Sequence, residues 1–182
     1  IQPASGGLWS EPANWFNAVI PNGSTHSADF STLELTNSNT VHLDAPRTIN
    51  SATFGDVNPA TPASWVLDDN GDAANTLTLA GTVPTITVNA LATGSTATID
   101  TPIAGAGGLT KAGPGTLVLT RANPLTGALS VSAGVLRIGA GGSVGSTTIA
   151  VNSGALFDVN GGSLSATGAA TITGAAKTAL VI

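Results

Sequence analysis

Cysteine and methionine are both absent from this 182-residue chain. The first absence removes disulfides, thiolate nucleophiles and cysteine-ligated metals together. With methionine also missing, neither of the oxidation-prone side chains is present, which suits a protein working outside the cell. Charge is scarce too. Asp, Glu, Lys and Arg make up 8% of the residues, against about a quarter of an average soluble chain. The net charge of -5 rests on ten carboxylates and five scattered cations, Arg47, Lys111, Arg121, Arg137 and Lys177. No basic patch exists, so nucleic acid is disfavoured as a partner. No apolar run approaches the roughly 18 residues of a membrane-spanning helix. Helical phase is missing as well. The chain starts at Ile1 rather than Met, and reads as a mature form whose export signal has been removed or as a piece of something longer.

What remains is short extended segments divided by glycine and proline. Between residues 108 and 136 strands are expected at 109–111, 116–119, 128–131 and 135–138, with breaks at Gly113-Pro114-Gly115, at residues 123–127 and at Ala133-Gly134. Proline fixes φ and glycine supplies φ > 0, so these breaks are turns with a mechanism. Within each strand apolar residues alternate with Thr, Ser or Arg, the period of a strand with one buried face. Further strands are expected upstream at 76–79, 85–88 and 97–99, and downstream at 147–151, 155–158, 163–165, 170–173 and 179–182. Strand centres recur about every 7 to 13 residues, so two or three strands make a unit of roughly 20 to 25, the size of a solenoid rung.

The residues Gly108-Leu109-Thr110-Lys111, Gly113, Gly115-Thr116-Leu117, Leu119, Asn123, Thr126-Gly127 and Ala133-Gly134 carry a resemblance. They are similar to the autotransporter-associated β-strand repeat, usually written GLTK-x-G-x-GTL-x-L-x-x-x-N-x-x-TG and then x-AGTL. Pro124, Leu125 and Val135 depart from that pattern in one turn and one strand. Upstream, Trp9, Asn14-Trp15, Pro21, Asp29-Phe30, residues 43–49 and Phe54-Gly55 resemble the leader that precedes such repeats in long secreted bacterial proteins. The resemblance implies an all-β, right-handed parallel β-helix, secreted to the cell surface or beyond, with no catalytic residues and no cofactor.

Aromatic residues divide the chain. Trp9, Trp15, Phe16, Phe30, Phe54 and Trp65 precede residue 66, and Phe157 alone follows it. Residues 1–65 therefore read as an aromatic-rich capping region with irregular strands, and 66–182 as solenoid rungs with the repeat signature at 108–136. A rung cannot bury enough apolar surface to stand alone, and an uncovered end exposes unpaired backbone. At the other end Ala179, Leu180, Val181 and Ile182 form an apolar, β-prone strand with no proline and no charge. Such a strand is expected to pair with another copy head-to-tail or with the next part of a longer chain.

Candidate sites are few. Gly141-Gly142-Ser143-Val144-Gly145 has the spacing of a nucleophile elbow, but that motif needs a strand-to-helix turn and a later histidine, while His26 and His42 both come earlier. It reads as a turn. Asp68, Asp69 and Asp72 cluster hard oxygen ligands and form a weak Ca²⁺ candidate that fits no EF-hand spacing. From residue 101 onward Asp158 is the one acid, so no carboxylate pair for glycoside hydrolysis can be assembled there. Asn22-Gly23-Ser24 is a formal glycosylation sequon. Trp9, Trp15 and Trp65 are candidate sugar contacts, because a flat ring suits a pyranose face, or else the core of the cap. Three functions follow: a fibre, sheath or surface layer built by head-to-tail stacking; an adhesin or carbohydrate-binding module on a solenoid stalk, with cell-surface or matrix polysaccharide as partner; or a stalk within a larger passenger.

Overall fold

The computed structural model describes residues 6–146, 148–165, 171–174 and 179–181. In chain order the strands are β1 (Gly7–Leu8), β2 (Ser27–Phe30), β3 (Asn39–His42), β4 (Arg47–Ile49), β5 (Ser51–Phe54), β6 (Trp65–Asp68) and β7 (Leu77–Leu79). Next come β8 (Thr85–Val88), β9 (Ala97–Asp100), β10 (Ile103–Ala104), β11 (Leu109–Ala112), β12 (Thr116–Leu119), β13 (Ala122–Asn123) and β14 (Leu129–Val131). The last are β15 (Val135–Ile138), β16 (Ser143–Val144), β17 (Thr148–Val151), β18 (Leu156–Val159), β19 (Ser163–Leu164), β20 (Thr171–Gly174) and β21 (Ala179–Val181).

Every strand pairing among the described residues is parallel. Parallel neighbours cannot be joined by a tight hairpin, and the chain meets that constraint by coiling. It visits a seven-stranded sheet (β2-β5-β8-β11-β14-β17-β20), then an eight-stranded one (β1-β3-β6-β9-β12-β15-β18-β21), then a third face, and returns. The third face is divided between β4-β7-β10 and β13-β16-β19, with an isolated parallel bridge from Gly105 to Leu125 where one gives way to the other. This is a parallel β-solenoid. At about 4.8 Å per strand the eight-stranded face is roughly 34 Å long.

Alternating residues point inward and form columns. On the eight-stranded face Val41, Leu67, Ile99, Leu119, Ile138 and Val159 follow one another in register, all buried. The neighbouring column reads Trp65, Ala97, Leu117, Leu136 and Phe157. There the small Ala97 leaves room beside the large Trp65. Stacking in register removes each apolar side chain from water against its equivalents above and below, so the core is continuous although no rung has one of its own.

Rung length is not uniform. Leu109 faces Leu129 and Leu129 faces Ile149, two steps of 20 residues. Ser27 faces Ser51 and Ser51 faces Thr85, steps of 24 and 34. The extra residues form loops at the corners, such as 55–64 and 69–76. The boundary expected between residues 65 and 66 falls inside β6, which pairs as one strand with β3 and β9. Regular ladders thus extend to Gly7, and the strand-free stretch at this end is 9–26.

Candidate functional site

The first rungs enclose a cluster of rings. Phe30 and Phe54 are register partners and stack at 5.1 Å and 20°. Trp65 packs against both, at 5.6 and 6.2 Å. Trp9 and Trp15 close over Phe30 at 5.8 and 5.6 Å, and lie 5.0 Å from each other. Each indole N–H has a backbone acceptor: Trp9 donates to Pro21 O at 2.9 Å, Trp15 to Trp9 O at 2.7 Å and Trp65 to Gly55 O at 2.8 Å. These bonds allow the rings to be buried without stranding a polar group.

Beyond Trp9 the chain makes two short 3-10 turns, Pro12–Asn14 and Phe16–Ala18. The first starts on Glu11, whose carboxylate accepts from Ala13 N at 3.2 Å, and Asn14 Nδ2 ties the segment back to Leu8 O at 2.9 Å. Asn17 and Ala18 then sit at φ 53° and 56°, left-handed conformations that cost about 1 to 2 kcal/mol each for residues with a Cβ. At this bend Phe16 stands 89% exposed. Between this segment and β2 runs an open groove of about 580 Å³. Trp15, Phe16, Val19 and Leu33 supply apolar walls, and Ser27, Asp29 and Thr32 supply oxygens. The Asp29 carboxylate accepts on Oδ1 from Ser31 N at 2.8 Å and Ser31 Oγ at 2.6 Å.

The three tryptophans expected as candidate sugar contacts therefore part company. Trp9 and Trp65 are fully buried and offer no face to a ligand. Trp15 is half-buried and lines the groove. Phe16 was not singled out by sequence. It stands next to Trp15 at the start of the second 3-10 turn, and both side chains line the groove.

The acidic loop after β6 is dispersed by its own turn. Asp68 pairs with His42 at 2.8 Å and accepts from Asn70 N, Asp72 accepts from Ala74 N, and Asp69 is buried beneath Arg121 at 3.0 Å. Among the described residues no three His, Asp or Glu side chains gather as a metal would need. Arg121 also holds Asp100 at 3.0 Å, so one guanidinium ties two corners of the coil. Asp158 is held by Arg137 at 2.7 Å. Ser143 lies in β16 between Ala122 and Ser163, with no helix after it among the described residues, the geometry of a ladder rather than an elbow. Asn22 of the sequon accepts from Thr48 N, and His26 Nδ1 accepts from Asn22 N, each at 3.0 Å. Ala179–Val181 form β21, which pairs with β18 at the end of its sheet; Ile182 lies outside the described residues.

Two motif residues act inside the coil. Lys111 occupies an inward position between Ile86 and Val131. Its buried ammonium donates to Ala112 O and Gly113 O at 2.8 Å and to Ala133 O at 3.1 Å, clipping one rung to the next. Burial pushes its pKa down from 10.5 to about 8. Asn123 spans three rungs, accepting from Ile103 N at 2.9 Å and donating to Arg121 O at 2.6 Å and Ser143 O at 3.0 Å.

Residues 109–138 match the family model of the passenger-associated transport repeat. That segment is similar to an autotransporter-associated repeat. The chain is also similar to the adhesin BmaC autotransporter of Brucella suis biovar 1 (strain 1330), 37% identical over 106 residues. The match covers 58% of this chain and 3% of that protein, so the chain spans a small fraction of its relative's length. No solved structure matches it. This similarity to autotransporter passengers supports a place at the cell surface or outside the cell. Among the described residues no helix is long and apolar enough to cross a membrane.

Proposed function

We propose that this chain is a non-enzymatic adhesive segment of an exported passenger, a rod that presents contact surfaces away from the cell. Its likeness to an autotransporter adhesin across 106 residues carries this reading. The state of its acids supports it: Asp68 is hydrogen-bonded to His42, and Asp69, Asp100 and Asp158 are held in ion pairs by Arg121 and Arg137, which disfavours any of them as half of a hydrolytic pair. The partners that fit are polysaccharides of a cell surface or matrix. Beads coated with the chain should attach to immobilised bacterial matrix polysaccharide or to cell monolayers well above bare beads. Attachment at the bare-bead level on both surfaces would sink the adhesive reading.

A second reading, end-to-end association into a fibre, sheath or surface layer, draws on the sheet edges. Among the described residues β21 has β18 on one side and stands last in its sheet, and β1 stands at the other end of the same sheet. Edge strands are templates for pairing, and a head-to-tail contact of this kind builds filaments. Electron microscopy and light scattering of the purified chain separate the two readings. Uniform filaments favour stacking, and discrete short particles remove it.

A further inference from the structure

We infer that the groove between residues 14–19 and β2 is a saccharide subsite, which takes a neutral pyranose against Phe16 and Trp15 with its hydroxyls on Asp29 and Thr32; this rests on the adhesive reading and names its ligand. Three observations converge there. Phe16 at 89% and Val19 at 59% exposed line the same groove, an exposed apolar patch edged by polar residues of the kind that marks a binding surface. The backbone that holds it outward has two successive left-handed residues, Asn17 and Ala18, a conformation that persists where the surroundings enforce it and that gathers at ligand sites. The volume, about 580 Å³, lies within the usual range for small-ligand clefts.

The chemistry of the lining selects the ligand. A pyranose has an apolar C–H face and an equator of hydroxyls, so it requires a flat ring beside oxygen acceptors. Asp29 Oδ2 and Thr32 Oγ1 have no protein partner among the described residues. No Lys, Arg or His lines the groove, which disfavours acidic sugars and phosphorylated ligands. An extended peptide pairing with β2 is the other occupant such a place could take. That strand has four residues, and in a parallel ladder alternate residues bond to opposite sides, so about two residues would face the newcomer, too short an edge for strand addition.

The test uses the whole chain against oligomers of glucose, mannose, galactose and N-acetylglucosamine, followed by calorimetric titration and tryptophan fluorescence. At least one oligomer should bind and perturb the emission. Phe16→Ala should weaken that binding tenfold or more and Asp29→Asn at least threefold, both with an unchanged melting temperature, because Phe16 and Asp29 are exposed. The inference is overturned if no oligomer binds at millimolar concentration, if Phe16→Ala binds as well as the parent, or if a β-strand peptide displaces the groove's response where sugars do not. Bead attachment keeps the two proposals apart. Phe16→Ala beads that attach as well as the parent remove the groove and leave the adhesive reading standing, whereas parent beads that fail to attach remove that reading itself.

Discussion

The rungs before residue 101 and those after it solve one problem by different means. The later rungs step by 19 to 23 residues and fill their interior mainly with Leu, Ile and Val in register. Their corners are tight because glycine lets neighbouring backbones approach: a Cβ on Gly108 would run into Ala128 O, and one on Gly113 into Val88 O. The earlier rungs step by 24 to 34 residues and are held by five packed rings. A repeat in mid-stack is specified by backbone contact with equals on both sides. The earlier rungs substitute bulky side chains for that regularity, and irregular loops and a groove accompany them.

The comparison breaks most severely where the ring stack is removed. Phe54 is fully buried between Phe30 and Trp65, and Phe54→Ala should cost about 3 to 5 kcal/mol. If the early rungs depend on it more than the repeat does, hydrogen exchange will rise first in β2 and β5 while β14 and β15 stay protected. Uniform loss of protection would show that the two regions melt as one unit.

Glycine sharpens the contrast within the repeat. Gly108 (φ 79°) and Gly154 (φ 81°) share a left-handed backbone, but a Cβ on Gly154 meets nothing within 4 Å. Gly154→Ala should cost about 1 to 2 kcal/mol from conformation alone, and Gly108→Ala about 2 to 4 because the neighbouring rung must also move. Equal urea midpoints for the two variants would refute the claim that close approach, not φ, explains the motif glycine.

The smallest effect concerns Lys111 and pH. Its folded pKa of about 8 lies below the ordinary 10.5, so from about pH 8 to 10.5 the unfolded chain holds more protons than the folded one. Stability should therefore rise with pH across that window and, for this group, be flat below it. The window is clear, because the chain has no cysteine or tyrosine and its one other lysine is Lys177. Lys111→Met should lose about 1 to 3 kcal/mol at pH 7, where three carbonyls lose their donor, and should abolish the rise. A Lys111→Met variant whose urea midpoint climbs between pH 8 and 10.5 as the parent's does would assign the pH dependence elsewhere.

Much of the fold was legible. Alternation in Leu117-Val118-Leu119 and the glycine and proline breaks located most strands to within a residue, and the repeat motif marked the stacking unit. The same alternation, counted from Leu109, puts Lys111 inward, although an isolated cation in a sparse chain reads more readily as surface charge. The early strands were less legible, since their loops vary in length and hide the period. Of the groove, only Trp15 was anticipated.

By itself the sequence determined what is local: strand positions from period two, turns from the φ preferences of glycine and proline, and a stackable unit from their recurrence. Tertiary structure alone decided which side chains of like chemistry meet solvent. Trp9 is sealed and Phe16 exposed, and Asp69 is buried beneath Arg121 while Asp29 lies open beside the groove. These outcomes depend on inter-rung register and on loops of unequal length, which bring together residues that no local pattern relates.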